Sequence, residues 1–153
     1  MNVMSIDPGI TGAICHFIDG ELMAVFPMPT MKVPSTTTKS KTKTVIDLEK
    51  LGKIFVLNHA DKCYIEKVHA MPGQGVTSMF NFGYAYGVVK MGAASFCDET
   101  IDVTPQKWKK HFNLLKTEKK DATALAKSFD KRITSSGKAD AYLIGRYALE
   151  ALG

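Results

Sequence analysis

Residues 4–14 read MSIDPGITGAI. Strand-forming residues run up to a single carboxylate, Asp7, and then break at Pro8-Gly9. Burying an unpaired carboxylate is costly. Asp7 therefore either opens a solvent-facing turn or helps to hold a cation, and one acid does not decide between the two. Working outward, residues 2–7 form a first strand. Residues 11–28, TGAICHFIDGELMAVFPM, read as two more strands joined at Asp19-Gly20, a hairpin signal. The chain thus opens with three consecutive, antiparallel-linked strands.

Beyond them the pattern changes. Residues 31–44, MKVPSTTTKSKTKT, are Ser, Thr and Lys with almost nothing to bury, and they read as a mobile loop. That loop is either a passive connection or a basic flap for a phosphate backbone. Residues 45–60 carry Ile46, Leu48, Leu51, Ile54, Phe55 and Leu57 near helical spacing, which predicts a helix of about four turns. KCYIEKV, 62–68, follows as a short strand, and MPGQG, 71–75, as a turn. A helical pattern covers 76–94, and TIDV, 100–103, is a further strand. Pro105 opens a helix, as proline does in a first turn. Two more helices cover 118–129 and 138–152, separated by TSSG. The order β-β-β-α-β-α-β-α-α-α predicts an α/β layer with a mixed sheet, in one domain spanning 1–153.

Composition narrows the function classes. The chain has 153 residues, 45% of them hydrophobic, which is ordinary for a globular protein. No apolar run has the length of a membrane span, and no leader pattern is present, so the chain reads as soluble and cytoplasmic. Lys and Arg number 20 against 15 Asp and Glu, a net charge of +5. That excess is compatible with a polyanionic partner without requiring one. Cys15, Cys63 and Cys97 lack the close pairing of a zinc site and read as reduced, mostly buried hydrophobes. The four histidines are equally scattered.

Two further acids stand out beside Asp7. Glu66 ends the strand CYIE. Asp140 lies near the start of the last helix, three and four residues before Leu143 and Ile144, and so shares the face of its apolar stripe. Each has an ordinary reading alone: a turn for Asp7, a strand end for Glu66, the helix dipole for Asp140. Together they are different. Acids ending two adjacent strands, with a third on a helix packed over them, converge on one point. Three such carboxylates do not all stay ionised without cations. Oxygen-only ligands suit Mg²⁺ or Mn²⁺.

SIDPGITGAI, YIEKVHAMPGQG and KADAYLIG resemble the three acidic motifs of the RuvC-type Holliday-junction resolvases. These are branched-DNA endonucleases on the RNase H-like fold, with a five-stranded mixed sheet between helices. MPGQGVTSMFNFGYAYG and TPQKWKKHF resemble the bacteriophage branch in particular. The resemblance implies a homodimer that nicks two strands of a four-way junction and leaves 5′-phosphates. It implies two Mg²⁺ or Mn²⁺ ions per active site, held by Asp7, Glu66 and Asp140. Lys119 is the counterpart of a basic residue near the scissile phosphate, with Lys120 beside it. Lys107, Lys109 and Lys110 are candidate DNA contacts at a helix start, around a Trp108 that reads as a core residue. His69 stands where bacterial relatives carry a junction-opening aromatic. The helix of FNFGYAYG is the implied dimer interface, against the plain reading that it packs on its own sheet. The chain departs from the family pattern at Ser136 and Gly137, where a fourth acid or a histidine is usual. That departure leaves a second reading, a catalytically weakened branched-DNA-binding module. An actin-like phosphotransferase is a third, for which the chain is too short.

Overall fold

The protein is described by a computed structural model covering residues 1–153. Its fold is α/β and RNase H-like. The main sheet has five strands in the order β3-β2-β1-β6-β7. These are β1 (Asn2–Asp7), β2 (Ala13–Ile18), β3 (Glu21–Pro27), β6 (Ala60–Glu66) and β7 (Cys97–Val103). The first three pair antiparallel, and β1, β6 and β7 run parallel. The β2–β3 hairpin closes as its sequence demands. Asp19 and Gly20 both take positive φ, at 50° and 87°, the two-residue turn that Asp-Gly favours.

Alternation along the strands divides the core. Met4, Ile6, Ile14, Cys63 and Ile65 face one way, against Leu51 and Phe55 of α1 (Leu48–Leu57) and Ala85 and Val89 of α2 (Val76–Phe96). Val3, Cys15, Phe17 and Tyr64 face the other way. There they meet Trp108 of α3 (Pro105–His111), Ala122 and Ala126 of α4 (Lys119–Phe129), and Leu143 and Ile144 of α5 (Ser136–Tyr147). The last helix then widens into a π-helical turn over Ala148–Leu152. All three cysteines are free and buried. No helix is long and apolar enough to cross a membrane.

Two expectations are corrected. Residues 31–44 are not a structureless loop. They form most of a separate two-stranded hairpin, β4 (Thr30–Pro34) and β5 (Thr42–Ile46), so five strands precede the first helix. The β-branched Thr and Val residues supply the strand preference, and Ile46 buries its side chain in the core. Helix α1 is also shorter than its apolar spacing predicts. Ile46 belongs to β5, and Asp47 caps the helix by accepting from the Lys50 N–H at 3.1 Å.

A candidate carboxylate active site

Asp7 and Glu66 reach one place by register. Ile6 pairs with Ile65 across the parallel β1–β6 ladder, so the residues that follow, Asp7 and Glu66, end neighbouring strands side by side. Alternation sends both toward the α3–α5 face, the side taken by Val3 and Tyr64. Helix α5 brings Asp140 over them through two tight contacts. Ser5 Oγ donates to the Ala141 carbonyl at 2.6 Å, fully buried, one residue from Asp140. Gly137 lies so close to the β1–β2 loop that a Cβ there would stand 2.1 Å from the Thr11 oxygen.

That second contact explains the departure at the fourth-acid position. Position 137 has no room for any side chain. Ser136 is exposed at the first turn of α5. Lys138 does not intrude on the acids, because its Nζ donates to Thr134 Oγ1 at 3.2 Å.

The three carboxyl groups feel one another. Burial raises Asp7 to about 7, and the charges of Glu66 and Asp140 add to the rise. Burial raises Asp140 to about 6, again with a contribution from Glu66. Glu66 is raised by burial as well. Lys119 opposes the rise at Asp7, and Lys109 and Lys119 oppose it at Asp140. Their side chains do not close into a cage: no three His, Cys, Asp or Glu side chains stand close enough to hold an ion together. The approach foreseen from the sequence therefore stops at electrostatic contact. Like charges repel until a cation offsets them, and here Glu66 is held by another group.

That group is Trp108, whose role the sequence reading missed. The side chain is fully buried, as a core tryptophan should be. Its Nε1–H donates to Glu66 Oε2 at 2.7 Å. A buried indole needs an acceptor, and a tryptophan in a lysine-rich helix just after a strand was the available signal. Lys109 Nζ stacks over the same ring, 5.4 Å from its centroid.

The lysines sort into three groups. Lys109 and Lys119 line a hollow of about 80 Å³ together with Asp140, Glu118 and Thr117. Lys107 and Lys110 are exposed. Lys109 and Lys110 lie in the last turn of the seven-residue α3, so they do not form the anion-facing helix start expected of them. Lys120 spends its charge on Glu118 at 3.1 Å, in an exposed pair. His69 is exposed on the β6–α2 connection, lining a hollow of about 150 Å³ with Val68, Phe82 and Tyr86. Helix α2 packs on the chain's own sheet through Ala85 and Val89, while Gly83 and Gly87 face open space.

With this geometry, two solved structures are similar over nearly the whole chain. One is T. thermophilus RuvC in complex with Holliday junction substrate, with a TM-score of 0.64 and 16% identity, covering 97% of this chain and 93% of that one. The other is a Thermus thermophilus RuvC structure, with a TM-score of 0.54, 14% identity and the same coverage. The chain has the RuvC fold. No family model and no curated protein matches the sequence. The RuvC fold thus stands here on a sequence far from those two proteins.

An oxygen-only set of carboxylates suits hard divalent ions. The raised Asp7 and Asp140 point the same way, since a bound cation stabilises the ionised form that burial disfavours. Chemically, the site offers negative oxygens for cations, flanked by two ammonium groups for an anionic substrate.

Proposed function

We propose that this protein is a metal-dependent endonuclease that cuts branched DNA, four-way junctions above all, by paired nicks leaving 5′-phosphates. The observation that carries the reading is the electrostatic meeting of Asp7, Glu66 and Asp140 on the RuvC fold, with Lys119 and Lys109 beside them. Asp7, Glu66 and Asp140 would hold two Mg²⁺ or Mn²⁺ ions per site. When bound, such ions supply Lewis-acid charge neutralisation at a phosphodiester. Trp108 fixes one oxygen of Glu66, leaving the other free to ligate. Lys119 faces the phosphate to be cut. Lys109, and at longer range Lys107, Lys110 and Lys120, take the flanking backbone. His69, exposed on the β6–α2 connection, would stack on an unpaired base at the branch.

The chain acts in this reading as one domain per protomer, in a homodimer, in the cytoplasm. The phage-branch likeness rests on the sequence segments 71–87 and 104–112 alone. Support for DNA as the partner comes from the similar RuvC solved with Holliday junction substrate.

The test is a labelled four-way junction incubated with the protein and Mg²⁺ or Mn²⁺. Wild-type protein should nick opposite strands and Asp7→Asn should not. Absence of cutting with either metal, with Asp7→Asn indistinguishable from wild type, overturns the reading. A second reading is favoured by one observation, the lack of space at Gly137 for a fourth ligand. It makes the protein a junction-binding module with weak turnover. Tight binding without cutting, with activity gained in Ser136→Asp, would select it.

A further inference from the structure

Between Glu21 and Asp47 the chain carries four lysines, Lys32, Lys39, Lys41 and Lys43, and no acid. All four lie on or beside the β4–β5 hairpin, and none makes an ion pair within the chain. The tip is built, not slack. Ser35 N–H donates to the Lys41 carbonyl at 2.8 Å, and Thr38 Oγ1 and Ser40 Oγ both donate to the Thr42 carbonyl at 2.9 Å. Lys41 is held at φ 58°, a conformation costly for lysine. Under the tip lies a groove of about 650 Å³ lined by Pro34, Ser35, Thr36, Thr37, Lys41 and Lys43. Ammonium groups, hydroxyls and no carboxylate line it. The nearest acids lie at the hairpin's base: Asp47 caps α1, and Glu49 lines the adjoining groove with Lys43.

The hairpin's root sits at the acid-bearing end of the sheet. Asp7 pairs with Ala13, and Ala13 with Pro27, so the strand leading to the hairpin ends level with Asp7. Two strand spacings put that root about 10 Å from Asp7. Met28 N–H then bonds the Gly12 carbonyl at 3.0 Å, and Asp47 N–H closes the hairpin's base on the Pro29 carbonyl at 2.9 Å. Five-residue strands carry the tip roughly 17 Å further.

We infer that the β4–β5 hairpin is a nucleic-acid arm, whose Lys41–Lys43 groove binds the phosphodiester backbone of the duplex entering the carboxylate site. It deepens the branched-DNA reading and rests on it for the substrate class. Its chemistry is a sequence-independent contact of ammonium and hydroxyl donors with phosphate oxygens.

The test is fluorescence anisotropy of a labelled four-way junction and a linear duplex in EDTA, titrated at several salt concentrations. The double variant Lys41→Asn/Lys43→Gln removes both charges, and asparagine tolerates the left-handed backbone at position 41. It should keep the wild-type melting temperature, weaken both DNAs by about tenfold or more at 0.1 M salt, and flatten the log–log salt slope by roughly 2. Lys43→Arg, which keeps the charge, should bind both DNAs as wild type does. An unchanged slope and affinity in the double variant, while Lys109→Gln weakens binding, overturns the arm and leaves the nuclease reading standing. Arm-dependent binding by a wild-type protein that cuts nothing with Mn²⁺ keeps the arm and overturns the nuclease.

Discussion

Trp108 shows how one side chain serves two purposes. Its ring fills the core between β6 and α5, and its N–H holds Glu66 at 2.7 Å. Trp108→Phe keeps most of the packing and removes the donor. Groups that orient a metal ligand in this way are worth about 10- to 100-fold in metal affinity or activity. The variant should therefore need at least about tenfold more Mn²⁺ for half-maximal junction cleavage while melting within a few degrees of wild type. An unchanged metal requirement would assign the indole to packing alone. Asp7 makes a second prediction through pH. Its folded pKa is raised to about 7, above the ordinary carboxylate value of 3.8, so the folded state holds the proton more tightly than the unfolded chain. The stability this contributes is complete below pH 3.8 and is lost as pH rises toward 7, and Asp140 acts in the same direction up to about 6. His16, whose buried ring is pushed down, opposes this on acidification, so a variant comparison isolates the carboxylate. In EDTA, Asp7→Asn should melt several degrees above wild type at pH 8 and coincide with it near pH 4. Differential scanning fluorimetry across that range checks both ends.

At the scale of elements, the joint between α5 and the β1–β2 loop sets where Asp140 sits. Gly137 and Gly12 are pressed together there, and a Cβ at 137 meets the Thr11 oxygen at 2.1 Å, with backbone on both sides of the contact. Backbone cannot swing aside as a flexible side chain can. Gly137→Ala should cost about 3 kcal/mol, a drop in melting temperature on the order of 10 °C. Gly83→Ala, where nothing lies within 4 Å, should stabilise the monomer by about 1 kcal/mol through helix propensity. Opposite signs in thermal melts check the pair. The contrast also marks what the sequence could disclose. Strand β1, the Asp-Gly hairpin, the β6 acid and the Pro105 helix start were legible, because each is written in local periodicity or turn chemistry. The β4–β5 hairpin was not. Its strands are rich in Thr and Lys, without the alternating apolar face that announces a strand, and its stability comes from its own ladder and one buried residue, Ile46. The three acids were visible as types at strand and helix ends. The indole bond to Glu66 was not, since it joins residues 42 apart through a packing that only the fold creates.

For the whole molecule, an exposed apolar stripe runs along one side of α2. Val76, Phe80, Tyr84 and Met91 recur at helical spacing and are 85%, 74%, 49% and 69% exposed. Gly83 and Gly87 leave the backbone bare between them. No charged residue occurs from Val76 to Val89. Met31 and Leu48 extend the same apolar surface across a neighbouring groove of about 660 Å³ that Phe80 and Tyr84 also line. A monomer would leave this stripe in water, whereas a second copy related by a twofold axis would cover it with the same residues, the self-complementary arrangement a closed dimer needs. The proposed chemistry asks for the same thing, because paired nicks in one junction need two sites held together, and a single chain carries one. The protein should therefore sediment at twice 16.8 kDa at micromolar concentration. Phe80→Asp places a charge on the stripe, at a residue that lines the α2 groove and not the hollow of Lys109, Lys119 and Asp140. It should shift sedimentation to the monomer and convert paired incision of a supercoiled cruciform into single nicks, with each protomer still able to cut. A wild-type protein that sediments as a monomer and still linearises the cruciform in one binding event would sever the link between α2 and paired cutting. A Phe80→Asp dimer would move the interface elsewhere on the surface.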